Sequence, residues 1–485
     1  MNYRMVVFVL GRIFLVEAAM LLLPMTCSAI YGEWYMLPAF LLPAVILLLL
    51  GLAASLRTPK NTTIYARDGL AIVALVWVLM SAFGALPFVI SGEIPAFADA
   101  FFEMVSGFTT TGSTILNDVE ALSHGALFWR SFSHWVGGMG VLVFAMAVLP
   151  MTDGRAMHLM RAEVPGPTCG KLSSKLSDSA KILYGIYFAM TALEVALLCA
   201  GGMSLYDSLI HAFGTAGTGG FSNRALSIGA YQNPYFEWVI GIFMLLFGVN
   251  FNLYYFILMR HFREAFGSEE LRAYLGIVLF STVTIAANIL SMVGSVGEAV
   301  RTAFFQVSSI ITTTGYATAD FNLWPTYSRI LLLLLMFVGG CAGSTAGGLK
   351  VSRVIIFFKA ARQDLNKMLH THAVTAIRFE GKPLDEKTLQ GVHNYFNVYM
   401  LLIMLSTVLV SLDGFDMITT FTAVITCLNN VGPGMEIVGP MGNFSQFSAP
   451  VKYLLSFDML AGRLELYPML ALFAPRLWRR RRTMR

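Results

Sequence analysis

Charged side chains are scarce in this 485-residue chain: they make up 13% of it, against 56% hydrophobic residues. Soluble domains carry about 25% charged residues. Cysteine is also rare, and the five cysteines have unrelated spacings that give neither a disulfide framework nor a zinc site. The composition therefore excludes an ordinary soluble domain or a disulfide-rich secreted protein and places the chain in a bilayer.

Motifs of enzymes are missing as well. The sequence contains no HExxH pair, no nucleophile elbow, no phosphate loop and no GxGxxG. The histidines that a membrane enzyme could use are scattered, and we interpret them as loop or core residues: His124, His134, His211, His370 and His372. A membrane enzyme is the alternative from another functional class. Without GxGxxG, nucleotide sensing would need a separate chain.

Long apolar runs, by contrast, are abundant. About ten stretches reach the roughly 20 residues that a helix needs to span a bilayer. We predict spans at 5–26, 35–56, 69–91, 126–150, 180–203, 234–259, 273–294, 327–349, 393–412 and 452–474. An even number of spans places both termini on the same side of the membrane.

Basic residues concentrate in alternate loops, which are cytoplasmic by the positive-inside rule. They comprise Arg57, Lys60 and Arg67, Lys171 and Lys175, Arg260 and Arg263, the segment from Lys350 to Lys387, and Arg479 to Arg482. We therefore predict that both termini are cytoplasmic. These segments could simply set the topology, although the longest could also dock a cytosolic partner. The C-terminal run suits an anchor to lipid headgroups.

Four loops on the other side each contain a short apolar segment that is too short to span and ends in a glycine-bearing turn. The segments are FFEMVSGFTTTG at 101–112, SLIHAFGTAGTG at 208–219, FFQVSSIITTTG at 304–315 and FTAVITCLNNVG at 421–432. Their last glycines are 107, 96 and 117 residues apart, which leaves room for an outgoing helix, a loop and an incoming helix. Residues 69–474 thus divide into four units of helix, half-helix and helix.

Irregular backbone at membrane depth is tolerated only where protein buries it or where it lines a water-filled cavity. Four re-entrant loops around one axis would form a ring, and rings of backbone carbonyls can replace the hydration shell of a potassium ion. Glycine allows positive φ and leaves room beside the ion, while threonine hydroxyls can satisfy neighbouring polar groups. Each stretch alone could be an ordinary turn. Four such glycine-bearing stretches in register, each preceded by a half-helix on the same side of the membrane, favour a pore instead.

Six motifs in this order resemble the Trk/Ktr/HKT superfamily of potassium transporters over almost the whole chain. They are TTTGST at 109–114, GTGGFS at 217–222, TTTGYAT at 312–318, GGCAGSTAGGLKVSR at 339–353, NNVGPG at 429–434 and AGRLELYP at 461–468. The two additional N-terminal helices resemble the bacterial Trk-type membrane subunit. The resemblance implies a homodimer in which each chain carries one pore, gated by a cytosolic nucleotide-binding subunit.

The resemblance also implies which residues line the ion path. They are Thr110, Thr111, Gly112, Gly217, Thr218, Gly219, Thr313, Thr314, Gly315, Asn430, Val431 and Gly432. In plant relatives, a serine at the first of the four glycine positions accompanies sodium selectivity, so Gly112 favours potassium. Asn430 and Val431 depart from the threonine pattern, so we expect approximate pore symmetry and modest selectivity against sodium.

Glycines crowd the middle of the predicted span 327–349. They are Gly339, Gly340, Gly343, Gly347 and Gly348, and Lys350 follows them. Their spacing of four could mark a helix-packing face. Adjacent glycines, however, weaken a helix by roughly 1 kcal/mol per residue. We therefore prefer a broken helix whose loop, 339–348, crosses the pore below the filter as a gate that includes Lys350, as the resemblance also implies.

Arg463 lies inside the last predicted span, where a charge costs at least about 2.5 to 3.5 kcal/mol. Asp458 and Glu465 are not its neighbours on a helix face, so its partner must come from elsewhere. Facing the pore, Arg463 would pin the filter loops and form a barrier to cations. A buried structural ion pair is the alternative.

The sequence thus predicts an all-α polytopic membrane protein with two N-terminal helices in 1–68 and four pore repeats at 69–150, 151–260, 261–368 and 369–485. Its predicted function is potassium uptake across the inner membrane of a bacterium. We expect potassium as the transported ion, no nucleotide bound by this chain, no nucleic-acid partner and no enzymatic activity. A sodium or ammonium permease is the closer alternative. The sequence leaves open whether uptake is symport with protons or purely channel-like.

Overall fold

The computed structural model describes residues 1–61, 64–140, 176–370 and 376–478. The repeat boundary predicted at 150 lies outside the described residues, as do Lys171, Lys175, His372 and the run from Arg479 to Arg482. Within the described residues the chain is helical and irregular, apart from one small hairpin. The predicted all-α class is confirmed.

The N-terminal region contributes helices that stand outside the repeats, as predicted. They are Tyr3–Met20, Leu22–Ile30, the 3-10 turn Trp34–Met36 and Leu37–Ser55. The first and the last of them pack closely, since Gly11 and Gly51 leave room for each other's helix. They then lie against the first repeat.

Four times the chain then forms a long incoming helix followed by a short helix. The incoming helices are Ala66–Ser91, Leu176–Ala200, Glu269–Val293 and Glu386–Val410. The short helices are Phe97–Phe108, Leu205–Gly217, Val296–Ile311 and Met417–Asn429. Both members of each pair are present in every repeat, and the predicted fourfold unit is therefore confirmed.

Each short helix is followed by an outgoing helix that stops after 13 to 15 described residues. The outgoing helices are His124–Gly138, Pro234–Phe247, Thr326–Val338 and Ala449–Arg463. Each ends at or beside a glycine, a residue that favours the ends of helices over their interiors. The second bends by 92° into Phe251–Leu258. The third gives way to a loop and Val351–Leu369, and the fourth to Tyr467–Leu472.

Among the described residues, six helices are long and apolar enough to cross a membrane unbroken. Six of the ten predicted spans correspond to these helices. Interrupted helices lie at 234–259 and 452–474, where unbroken ones were predicted, and at 327–349, where the glycines predicted a break. The helix predicted at 126–150 ends at Gly138, and residues 141–150 lie outside the described residues.

Side-chain caps explain where several of these helices begin. Ser123, Ser204, Ser268, Asp385 and Asp416 each accept a backbone N–H from the first turn of the helix that follows. Such caps satisfy donors that the start of a helix otherwise leaves unpaired. They fix the start of two short helices, and hence the position of the residues at the other end.

The remaining elements are small. They are the helices Phe262–Gly267 and Pro475–Trp478, the 3-10 turns Ser227–Tyr231, Phe321–Leu323, Ser411–Asp413 and Glu436–Val438, and the antiparallel strands Arg378–Phe379 and Lys382–Pro383. The hairpin of two-residue strands is the one departure from an all-helical fold among the described residues. It packs Phe379 against Ile356 and Val392.

Candidate ion pathway

The four short helices end in the same way. Thr110, Thr218, Thr313 and Asn430 follow them in the left-handed conformation, with φ between 54° and 57°. The next residue then donates its N–H to the carbonyl five residues back, at 2.8 to 2.9 Å: Thr111 to Ser106, Gly219 to Gly214, Thr314 to Ser309 and Val431 to Thr426. This pattern satisfies carbonyls at the end of a helix. Its fourfold recurrence defines which residues of the repeats are equivalent.

Two residues beyond each left-handed residue lies a glycine with φ between 77° and 100°: Gly112, Gly220, Gly315 and Gly432. Each faces a backbone carbonyl of the following repeat. A β-carbon at Gly112 would lie 2.0 Å from the Gly219 oxygen, and one at Gly220 would lie 1.9 Å from the Thr314 oxygen. The corresponding distances are 2.3 Å from Gly315 to Val431 and 2.7 Å from Gly432 to Thr111. The fourth contact returns to the first repeat, so the four segments form a closed ring.

The second segment differs from the predicted register by one residue. The sequence comparison aligned Gly217, Thr218 and Gly219 with the first triplet, Thr110 to Gly112. The backbone instead aligns Thr218, Gly219 and Gly220 with that triplet, and Gly217 is the last residue of the short helix. The motif GTGG offers two candidate glycines, and only the backbone torsions distinguish them.

One side of the ring opens into a cavity of about 220 Å³. All four ring glycines line it, together with polar residues such as Asn117, Arg224 and Asn443. In the folded chain the four segments therefore meet at one opening. The sequence alone could suggest such a meeting of four similar segments but not show it.

Threonine hydroxyls brace the segments from within. Thr109 and Thr111 share a hydrogen bond of 2.8 Å, and the equivalent Thr312 and Thr314 share one of 2.7 Å. In the fourth repeat, the Asn430 side-chain N–H donates to Thr111 Oγ1 at 3.0 Å and so joins the last repeat to the first. Thr110 Oγ1 is buried and has no hydrogen-bond partner among the described residues.

A buried ion pair supports the first segment from behind, and the sequence analysis did not assign it a role. The Glu103 carboxylate lies 2.7 Å from the Arg130 guanidinium, and both side chains are at most 1% exposed. Glu103 also accepts the Ile115 N–H at 2.9 Å and the Thr114 hydroxyl at 2.9 Å. An acidic residue in the apolar segment FFEMVSGF was the available signal, because a buried charge requires a partner.

The same arginine reaches the second segment. The Arg130 guanidinium stacks 3.9 Å from the centre of the Phe221 ring and donates to the Ser222 carbonyl at 3.4 Å. One cation therefore connects the residues that follow Gly112 with those that follow Gly220. The pair positions two neighbouring segments of the ring relative to each other.

His134 lies directly behind the second segment, one turn from Arg130. Its Nε2 accepts the Phe221 N–H at 3.2 Å, and its Nδ1 lies 2.7 Å from the Gly107 carbonyl. Since Nε2 is the acceptor, Nδ1 is the nitrogen that carries the proton. The neutral imidazole thus connects the first short helix with the second of the four glycine-bearing segments.

The other candidate histidines are dispersed. His211 lies 3.0 Å from the Ser222 hydroxyl, His124 pairs with Glu33 at 2.9 Å, and His370 follows the helix Val351–Leu369. Among the described residues, no three His, Cys, Asp or Glu side chains are placed to hold a metal ion. The four candidate histidines within the described residues thus lie apart from one another, some in the core and some near helix ends or loops, as predicted.

The glycine-rich segment predicted as a gate is not helical. The helix Thr326–Val338 ends before Gly339, and the next helix begins at Val351. Gly339, Gly343 and Gly348 have φ between 71° and 75°. The alternative of a continuous helix-packing face is therefore excluded. We call residues 339–350 the crossing loop.

The crossing loop lies against the ends of the third and fourth short helices. The Gly347 N–H donates to Thr313 Oγ1 at 2.6 Å, and the Gly348 N–H donates to the Asn429 carbonyl at 3.0 Å. A β-carbon at Gly347 would lie 2.3 Å from that same carbonyl. On its other side, the loop donates from Cys341 to the Gly248 carbonyl at 2.9 Å. The buried Lys350 ammonium folds back onto the Ala346 carbonyl.

Arg463 holds the loop from the fourth repeat. Its guanidinium donates to the Thr345 carbonyl at 2.7 Å, to the Gly137 carbonyl at 2.5 Å and to the Gly138 carbonyl at 2.6 Å. Gly137 and Gly138 end the outgoing helix of the first repeat, where Gly137 abuts the Phe108 carbonyl. The partner predicted to lie elsewhere in the fold thus includes backbone carbonyls of two other repeats. Glu465, two residues on, pairs with Arg353 instead.

The TrkH family of cation transport proteins matches residues 37–480 of the chain. The chain belongs to this family. It is 38% identical over 421 residues to the Trk system potassium uptake protein TrkH of Escherichia coli strain K12, covering 85% of this chain and 86% of that protein. It is 33% identical over 484 residues to TrkG of the same strain, covering 99% of each.

A solved structure has the same fold over the full chain. The crystal structure of the potassium transporter TrkH from Vibrio parahaemolyticus superposes with a TM-score of 0.89 at 30% sequence identity. The match covers 99% of this chain and all of the other. The family resemblance predicted from the six motifs is confirmed.

Proposed function

We propose that this protein takes up potassium across the inner membrane of a bacterium, through the ring formed by the four segments. The observation that carries the proposal is the closure of the ring, in which every glycine faces a backbone carbonyl of the next repeat. Carbonyl oxygens arranged around one axis replace the water of a dehydrated potassium ion. The relatives described above are named as potassium uptake proteins.

The ion-lining residues in this proposal are the carbonyls and hydroxyls of the four triplets. We assign the second triplet to Thr218, Gly219 and Gly220, following the backbone, with Gly217 at its inner end. The buried Thr110 hydroxyl, which lacks a protein partner among the described residues, supports an ion or water at this level. Potassium is the transported substrate, and the ligands are backbone and hydroxyl oxygens.

The crossing loop is the gate in this proposal. Its hydrogen bonds to Thr313 and Asn429, at the ends of the third and fourth short helices, support this role, as do the bonds by which Arg463 joins the loop to the first repeat. Ions can pass only if the loop moves. We further propose that both termini are cytoplasmic, that two chains assemble as a homodimer within the lipid, and that a cytosolic nucleotide-binding subunit controls the loop.

Growth and rubidium uptake in a bacterium that lacks potassium uptake test the function. Expression of the chain should restore growth at low potassium, and a tenfold excess of sodium should compete only weakly with rubidium. Equal competition by sodium, or better transport of ammonium, would instead favour the permease alternative. Uptake by the purified chain in liposomes, recorded with a dye for internal pH, distinguishes symport with protons from channel-like flux.

A further inference from the structure

Glu270 fastens the two ends of the crossing loop together. It belongs to the first turn of the incoming helix Glu269–Val293 and is 5% exposed. One of its carboxyl oxygens accepts the Ala342 N–H at 2.8 Å and the Ser352 N–H at 3.0 Å. Ala342 lies near the start of the loop and Ser352 just beyond its end. Hydrogen bonds to a carboxylate are about twice as strong as neutral ones.

This arrangement holds only while the loop keeps its present shape. Both N–H groups are buried, and a buried donor that loses its acceptor carries a desolvation penalty. The loop also closes on itself through the bond from the Val351 N–H to the Gly340 carbonyl at 3.0 Å. Movement of the loop away from the short helices must therefore break the contacts with Glu270 or carry Glu270 along.

The hairpin Arg378–Pro383 in turn holds the start of that helix. Glu380, at the hairpin turn, accepts the Ser268 hydroxyl at 2.8 Å and the Glu270 backbone N–H at 3.1 Å. Ser268 is also the cap of the helix. The Glu380 carboxylate thus binds the backbone of Glu270, the same residue whose side chain accepts the hydrogen bonds of Ala342 and Ser352.

The hairpin is attached to the far side of the loop as well. The Lys359 ammonium donates to the Arg378 carbonyl at 2.8 Å and pairs with Glu269. Phe379 is buried against Ile356, on the same helix as Lys359. A force on the hairpin therefore reaches both the helix that follows the loop and the helix that carries Glu270.

We propose that Glu270 is the positioning residue of the crossing loop, and that the hairpin, through Glu380, sets where Glu270 sits. The proposal rests on the gating role of the loop proposed above. In this proposal the hairpin acts as a lever on the gate. When the hairpin is displaced, the Glu270 carboxylate moves away from the N–H groups of Ala342 and Ser352, and the loop is released.

Rubidium flux into liposomes that contain only the purified chain, normalised to inserted protein, tests the lever. Glu270→Ala removes both hydrogen bonds, to Ala342 and to Ser352, and should raise flux about tenfold or more, because one bond to a charged group alone corresponds to roughly that factor. Glu270→Gln keeps an acceptor oxygen but loses the charge, so its flux should lie between that of the wild type and that of Glu270→Ala. Glu264→Ala, at an exposed carboxylate on the preceding helix, is the matched control and should not change flux.

Glu380→Ala keeps the test decisive if Glu270→Ala reduces abundance, because Glu380 is exposed on the hairpin. It should also raise flux, and the double variant should not exceed Glu270→Ala, since both act through one contact. Normal flux in Glu380→Ala would overturn the lever, and normal flux in Glu270→Ala would overturn the positioning role of Glu270.

A deletion within Gly340 to Gly347, measured in the same liposomes, separates the two proposals. If the deletion raises flux while the two carboxylate variants do not, the loop is the gate and Glu270 does not position it. If the deletion leaves flux unchanged in well-folded protein, the gate itself is wrong, and the role of Glu270 falls with it.

Discussion

Replacing Arg463 should open the pathway, because its guanidinium joins the crossing loop to the first repeat. Three of its hydrogen bonds go to backbone carbonyls of described residues, and among these the bond to Thr345, at 2.7 Å, belongs to the loop. The bonds to Gly137 and Gly138 anchor the arginine to a helix that abuts the first short helix. Arg463→Ala therefore removes one attachment of the loop and leaves the ring of glycines and carbonyls in place.

The size of the effect follows from that one bond. A hydrogen bond to a charged group contributes about 1.5 to 3 kcal/mol. Since 1.4 kcal/mol corresponds to a factor of ten, the ratio of open to closed loops should rise roughly 10- to 150-fold. Flux per inserted chain should rise with it until the open state dominates, and the ratio of sodium to potassium flux should stay constant.

Rubidium and sodium uptake by purified chains in liposomes measures both quantities. Arg463→Lys separates the two roles of the side chain, because an ammonium keeps the charge but lacks the planar fork that reaches several carbonyls at once. If Arg463 acts as a charge barrier, the lysine variant stays slow; if it acts as a bridge, the lysine variant resembles alanine. Lower flux in Arg463→Ala at normal abundance would refute both roles.

Three further predictions concern the ring, its support and the loop. Gly112→Ser should admit more sodium relative to potassium, which the permeability ratio of the two ions measures. At Gly112 φ is 83° and a β-carbon would lie 2.0 Å from the Gly219 oxygen, so the ring must widen to accept the serine. Glu103→Gln leaves the buried Arg130 without its counter-charge, which costs about 3 to 5 kcal/mol, so membrane abundance should fall and the double variant with Arg130→Gln should recover part of it. A deletion within Gly340 to Gly347 should give fast flux without any partner, recorded in liposomes as rubidium uptake.

The outcomes that contradict these predictions are distinct. An unchanged permeability ratio in Gly112→Ser would remove Gly112 from the filter. Full abundance of Glu103→Gln would show that the ion pair with Arg130 is dispensable. Slow flux from a well-folded deletion variant would rule out the crossing loop as the obstacle.

Much of the fold could be predicted because bilayers demand patterns that can be read along the chain. Twenty-residue apolar runs gave the incoming helices, and short apolar segments ending in glycine gave the four half-helices. The interruptions of the second and fourth outgoing helices could not be predicted in this way. The tight contacts at these two breaks appear only in the folded chain: a β-carbon would lie 2.5 Å from the Tyr274 hydroxyl at Gly248, and 1.9 Å from the Leu428 carbonyl at Gly462.

The residues of the candidate site could be predicted where they are neighbours in the sequence, but not where distant parts of the chain meet. Threonines and glycines that follow one another in the sequence were found directly, apart from the register of the second triplet. Contacts between distant residues were not found. Glu103 and Arg130 are 27 residues apart, and Glu270 and Ala342 are 72 apart. No periodicity links such pairs, so only the folded chain shows that they meet.

The closure of the ring has a consequence for biosynthesis. The first segment to be made receives its last neighbour from the final repeat, through contacts such as the one between Asn430 and Thr111, which are 319 residues apart. A ribosome adding about 5 to 20 residues per second needs roughly 15 to 65 seconds to cover that distance. Throughout this interval the Thr111 carbonyl lacks Gly432, the glycine that will face it, and the nascent chain has no complete ring. The ion path proposed above therefore exists only after the fourth segment has been made.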